Sequence, residues 1–88
     1  MEFQFFFVYV LESLKDGGWY IGFSSNLKKR YESHNSGVNK STKFRRPFRI
    51  IYFEGYVNRD DALGRERFLK SGSGRLFLKR QMNNYLKS

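Results

Sequence analysis

The chain alternates between short runs dense in aromatic and β-branched residues and stretches dominated by charge. Residues 3–13, Phe-Gln-Phe-Phe-Phe-Val-Tyr-Val-Leu-Glu-Ser, lack helical spacing, and their bulk predicts a strand buried on both faces. Asp16-Gly17-Gly18 predicts a turn and Trp19-Tyr20-Ile21-Gly22-Phe23 a second strand, making a hairpin with Tyr9 and Tyr20 on one sheet face. Ser24 or Ser25 can cap the helix that follows, where Leu27, Arg30, Tyr31 and His34 recur at i, i+3, i+4 and i+7. That stripe turns Arg30 inward, and Asn35-Ser36-Gly37 ends the helix.

Residues 36–47 read as a polar, basic loop closed by Pro47. Arg49-Ile50-Ile51-Tyr52-Phe53-Glu54 predicts a third strand, and Asn58 or Asp60 can cap a helix over 60–70. Ser71-Gly72-Ser73-Gly74 breaks it, and a last helix over 75–86 aligns Leu78, Met82, Tyr85 and Leu86 for packing. The order ββα, β, αα defines an α+β class: a small three-stranded antiparallel sheet flanked by helices. At 88 residues the expectation is one domain, 1–88, with a single core and one shallow site.

Composition narrows the chemistry. With 40% hydrophobic and 19% aromatic residues the chain is expected to fold. The lack of cysteine excludes disulfide scaffolds, thiolate metal sites and thiol nucleophiles, and one histidine excludes a multi-histidine cage. No apolar run approaches the ~18 residues of a membrane span, and the start lacks the basic region of a secretory signal, so a cytoplasmic protein without membrane contact is expected. The net charge of +9 is concentrated in two segments. Residues 28–49 carry eight basic side chains against Glu32, and residues 65–88 carry seven against Glu66. Two cationic segments flanking neutral strands suit a polyanion, and nucleic acid is the leading partner. Charge alone would equally serve solubility.

Particular residues go further. Tyr9 in Phe7-Val8-Tyr9, then Tyr20-Ile21-Gly22, then Leu27-Lys28-Lys29-Arg30 with His34, and finally Ala62 and Glu66 in a helix form an ordered set. In that order and spacing the chain resembles the GIY-YIG nucleases, from residue 6 to about 80. It is most similar to the short single-domain bacterial members, whose module ends in a segment like Leu69-Lys70-Ser71-Gly72.

The resemblance implies divalent-metal-dependent hydrolysis of DNA phosphodiesters, with Mg²⁺ or Mn²⁺ held by Glu66. One carboxylate suffices for such an ion, which keeps waters and takes further ligands from phosphate. Arg30 would grip the scissile phosphate through its planar, permanently charged donor fork. His34 would orient or deprotonate water. Tyr9 and Tyr20 are the motif tyrosines, one of which would assist that activation given a nearby cation or metal. Gly22 fits a close approach, where a side chain would crowd the phosphate or the next helix. Taken singly, Glu66 reads equally as a helix carboxylate, His34 as a structural histidine and the tyrosines as strand formers.

The chain also departs from the family pattern. Phe7 stands where the first motif usually has glycine, Phe23 where some relatives carry a basic residue, and no asparagine occurs in 67–80. Lys40, Lys43, Arg45, Arg46 and Arg49, with Lys28 nearby and Phe44 and Phe48 interleaved, suit phosphate contacts on branched, damaged or single-stranded DNA. No reader of base edges is visible, so low sequence specificity and a DNA repair or processing role are expected. The rival expectation is a non-catalytic module that binds nucleic acid with the same face.

Overall fold

The computed structural model describes residues 4–88; Phe3, where the first strand was expected to begin, lies outside them. Strand β1 (Phe6–Ser13) lies between β2 (Trp19–Ser24) and β3 (Phe48–Tyr56), both antiparallel to it. Helix α1 (Leu27–Ser36) follows β2, and a 3₁₀ turn at Lys43–Arg45 precedes β3. The chain closes with α2 (Arg59–Lys70), α3 (Gly72–Gln81) and the short α4 (Asn83–Lys87). The α+β architecture expected from the element order is therefore present.

The central position of β1 explains its apolar run, because a strand covered on both faces cannot alternate with polar residues. Val8 and Val10 turn to one face, where Ile21, Ala62, Leu69, Leu78 and Met82 complete the larger core under α2, α3 and α4. Tyr9 and Leu11 turn to the other, where they meet Phe48, with Tyr20, Leu27, Tyr31 and Ile50 packed around them. Between Val10 and Leu11 the pairing with β3 slips by one residue, so that Val10 faces Tyr52 and Leu11 faces Ile50.

Local chemistry moves several boundaries from their expected places. The cap of α1 is Asn26, whose side chain accepts from the Lys29 amide at 3.1 Å. Ser24 instead bonds the backbone of Asn26 in both directions at 3.0 Å and fixes the turn before the helix. Strand β3 begins earlier than expected because Asn35 bonds both the amide and the carbonyl of Phe48, and the Tyr31 hydroxyl donates to that carbonyl. Asn58 caps α2. Helix α2 ends at Lys70 as expected, but α3 starts at Gly72, earlier than expected, because Ser71 caps it, accepting from the Gly74 amide at 3.1 Å. A Cβ on Gly74 would strike Leu69 Cα at 2.5 Å, so glycine there lets α3 pack onto the end of α2. The last helix breaks at Met82; Leu78 and Met82 are buried and Tyr85 half-buried, while Leu86, expected to pack with them, is 44% exposed.

One polar cluster fixes α2 to the sheet. Arg65 grips Glu54 with two nitrogens, at 2.8 and 3.0 Å, while the Tyr52 and Tyr56 hydroxyls donate to the same carboxylate at 2.5 and 2.6 Å. Burial alone would raise the Glu54 pKa, but the bonds from Arg65, Tyr52 and Tyr56 outweigh it and hold the carboxyl below its usual range. Both tyrosines are pushed up to about 12, by burial and by Glu54.

Candidate active site

In the β1–β2 ladder Tyr9 pairs with Gly22, and Leu11 with Tyr20. Because residues two apart share a face, Tyr9 and Tyr20 point to the same side, where α1 lies. The Tyr9 ring leans across Gly22: a Cβ at that position would meet the phenol Cζ at 2.5 Å. The close approach expected of Gly22 is thus made by the Tyr9 side chain, rather than by the following helix.

His34 descends from α1 onto the pair. It is fully buried, with Nε2 3.0 Å from the Tyr9 hydroxyl and Nδ1 2.8 Å from Oγ1 of Thr42. Thr42 donates its own hydrogen to the Asn39 carbonyl in a long 3.5 Å bond. The hydroxyl therefore accepts from Nδ1–H, which leaves the Nε2 lone pair facing the Tyr9 O–H. Tyr20 lies tilted beside them, its ring centre 4.9 Å from that of His34 and 6.5 Å from that of Tyr9. Burial raises the Tyr9 pKa well above the ordinary tyrosine range; Tyr20 and Glu66 add to the rise and Arg30 opposes it. Burial, and then Arg30, lower that of His34. At neutral pH the pair is a protonated phenol against a neutral imidazole.

The Arg30 charge, on α1, acts on both groups, and that of Glu66, on α2 in the opposite layer, acts on Tyr9 alone. Arg30 is exposed rather than turned inward. It lines an open pocket of about 460 Å³ with Ser24, Ser25, Asn26, Lys29 and Ser33. Four residues on from Ala62 and three before Leu69, Glu66 falls on the inward side of α2, and its side chain is only 18% exposed. Its one ion pair among the described residues is with Lys70, at 3.3 Å. No group of three or more His, Asp or Glu side chains converges among the described residues. A single carboxylate, partly exposed and shared with Lys70, nevertheless fits Mg²⁺ or Mn²⁺, hard ions that complete their shells with water and phosphate oxygens.

The basic residues divide into two groups. Lys28, Lys40, Lys43 and Arg46 are exposed, with Lys43 over the Phe44 ring and the Arg46 guanidinium against Gly37. Arg45 is engaged: it bonds Asp16 at 2.9 Å and lies over Phe48, tying the loop to the hairpin turn. Arg49 is likewise held by Glu12 and Tyr85. Sequence reasoning missed Thr42, because a threonine in a polar loop carries no signal that it meets a histidine eight residues earlier.

The fold and this cluster of residues define a GIY-YIG domain. The family model described as the GIY-YIG catalytic domain matches residues 5–83, and the chain belongs to that family, whose domain is of nuclease type. Its relatives carry the name UPF0213. The chain is 38% identical over 65 residues to a UPF0213 protein of Streptococcus pneumoniae, covering 73% of this chain and 65% of that one. It is 38% identical over 71 residues to UPF0213 protein YazA of Bacillus subtilis, covering 80% and 71%. The matched segment thus spans just under two thirds of the pneumococcal relative's length. A solution NMR structure of UPF0213 protein BH0048 from Bacillus halodurans aligns over 94% of this chain and 85% of that one, with 33% identity and a TM-score of 0.53. Among the described residues no helix is long and apolar enough to cross a membrane.

Proposed function

We propose that the protein is a divalent-metal-dependent DNA endonuclease of low sequence specificity, with Tyr9, Tyr20, Arg30, His34 and Glu66 as its working residues. The observation that carries this reading is the Tyr9–His34 contact at 3.0 Å, with a guanidinium and a carboxylate acting on the same phenol. Hydrolysis needs a proton acceptor for the attacking water. Tyr9 alone is a poor one, because burial keeps it protonated. Coupled to neutral His34, it can take the proton of water on its oxygen as its own passes to Nε2. Tyr20, half-buried against the same imidazole, lies nearer solvent and orients the water. Arg30 supplies charge and paired donors to the phosphate as negative charge builds on its oxygens. Glu66 would hold Mg²⁺ or Mn²⁺, which supplies Lewis acidity at the phosphate and the leaving oxygen. Lys28, Lys40, Lys43 and Arg46 offer sequence-independent phosphate contacts, in keeping with a role in DNA repair or processing.

The test is cleavage of branched, nicked, single-stranded and duplex DNA by purified protein with Mg²⁺ or Mn²⁺. Activity that vanishes in Glu66→Ala and Arg30→Ala supports the reading. Equal behaviour of the variants and the parent chain overturns it and leaves a nucleic-acid-binding module, identified by metal-independent, salt-sensitive affinity.

A further inference from the structure

The face of the sheet that carries Tyr9 is only partly covered. Helix α1 packs over Leu11, Ile50 and Phe48, but toward the other end of β1 three aromatic rings, two exposed and one half-buried, lie side by side. Phe53 pairs directly with Tyr9 across the β1–β3 ladder and is 55% exposed, Phe5 is 40% exposed, and Phe7 lies between them. Ring centres are 6.5 Å apart for Phe5–Phe7 and 6.2 Å for Phe7–Phe53. Opposite Phe7 the strand has the exposed Gly55, so no side chain rises from the sheet there.

We propose that Phe5, Phe7 and Phe53 form a platform on which unpaired bases of a single-stranded nucleic acid stack beside the Tyr9 site. This rests on the nucleic-acid part of the proposed function, and does not require hydrolysis. Charge selects the occupant. Helix α1, on the same face, bears Lys28, Lys29 and Arg30 against Glu32, and residues 37–47 bear the exposed Lys40, Lys43 and Arg46 besides Arg45, which is paired with Asp16. A second copy seated here would bring two such surfaces together, each on a chain of net charge +9, whereas a polyanion releases counterions on the same residues. Aromatic rings on a sheet face that also carries cations stack bases without regard to sequence, and a base held in a duplex cannot offer its face to them.

The experiment uses the full chain carrying Glu66→Gln in EDTA, so that binding is read without cleavage. The probes are a labelled oligothymidylate, an abasic strand of equal length and charge, and a duplex. The platform predicts that Phe53→Ala weakens oligothymidylate binding roughly tenfold, leaves the abasic strand unchanged, and is rescued by Phe53→Tyr to within about twofold. Because Phe53 is more than half exposed, its loss leaves the fold intact, which far-UV circular dichroism verifies. Equal loss on both strands, no loss on either, or a parental dimer in the ultracentrifuge that Phe53→Ala dissolves would each overturn the platform. Failure of the nuclease assay would leave this binding result standing, so the two ideas fail separately.

Discussion

The hydroxyl of Tyr9 and Nε2 of His34 lie 3.0 Å apart, joining the central strand to the first helix in a place that solvent scarcely reaches. The burial of His34 gives the stability of the protein a pH dependence with a definite sign. His34 is the chain's one histidine, and burial and then Arg30 lower its pKa in the folded state. The unfolded chain, with an ordinary value near 6.5, takes up a proton first as pH falls. The stabilisation is therefore complete above about pH 6.5 and drains away as pH drops through the lower folded value. Urea midpoints measured between about pH 7.5 and about pH 5.5 should fall in the parent chain, before the carboxylates titrate, and stay nearly level in His34→Gln. A parent midpoint that does not change across this range would refute the assignment.

Glycine at position 22 is demanded by the Tyr9 ring. Gly22→Ala places a methyl group against the phenol, and either the ring or the strand must yield. Overpacking of this kind costs about 1–3 kcal/mol. Calorimetry should register it as a melting temperature lower by about 5–20 °C for a chain of this size. Cleavage should drop by a larger factor than stability accounts for, since the phenol moves away from His34. An unaltered melting temperature would show that the ring relaxes freely.

Much of the fold was legible because the aromatic and β-branched runs leave few alternatives. A segment such as Phe-Phe-Val-Tyr-Val-Leu can only be a strand with both faces covered, and the turn at Asp16-Gly17-Gly18 then sets the hairpin. Asn26 displaced Ser24 and Ser25 as the cap because Ser24 is drawn to its own local backbone, a competition that propensity does not rank. Arg30 was misplaced inward since a helical stripe is wide, and Arg30 lies on the edge of it that borders the open pocket. The Glu54–Arg65 clamp had no local signature either, as its partners are eleven residues apart and meet only after α2 folds back on β3.

Lys70 competes with any metal for Glu66. An i, i+4 pair stabilises a helix by only about 0.3–0.5 kcal/mol, and the lysine of this one is exposed, so Lys70→Ala should barely move the melting temperature. Removal of its charge should nonetheless lower the Mg²⁺ or Mn²⁺ concentration for half-maximal cleavage, about twofold or more by Coulomb's law near a protein surface. Titration of metal in a cleavage assay checks this, and a requirement that rises instead would place the ion away from Glu66.

A lysine and an arginine of one loop should behave differently. Lys40→Ala, at an exposed position, should reduce the slope of log affinity against log salt by about one and leave stability alone. Arg45→Ala should also release the loop from Asp16 and Phe48, and limited proteolysis within residues 37–47 should quicken in that variant alone. Identical proteolysis of both variants would remove the anchoring role given to Arg45.

Strand β1 is bonded on both flanks, so the segment bearing Tyr9 is the last to open when the molecule breathes. His34 and Thr42 ride instead on a ten-residue helix and an irregular loop, neither of them bonded into the sheet ladder, and these should open first. Brief excursions of that outer layer would uncouple the phenol from its imidazole while the sheet stays whole, so thermal inactivation should precede melting.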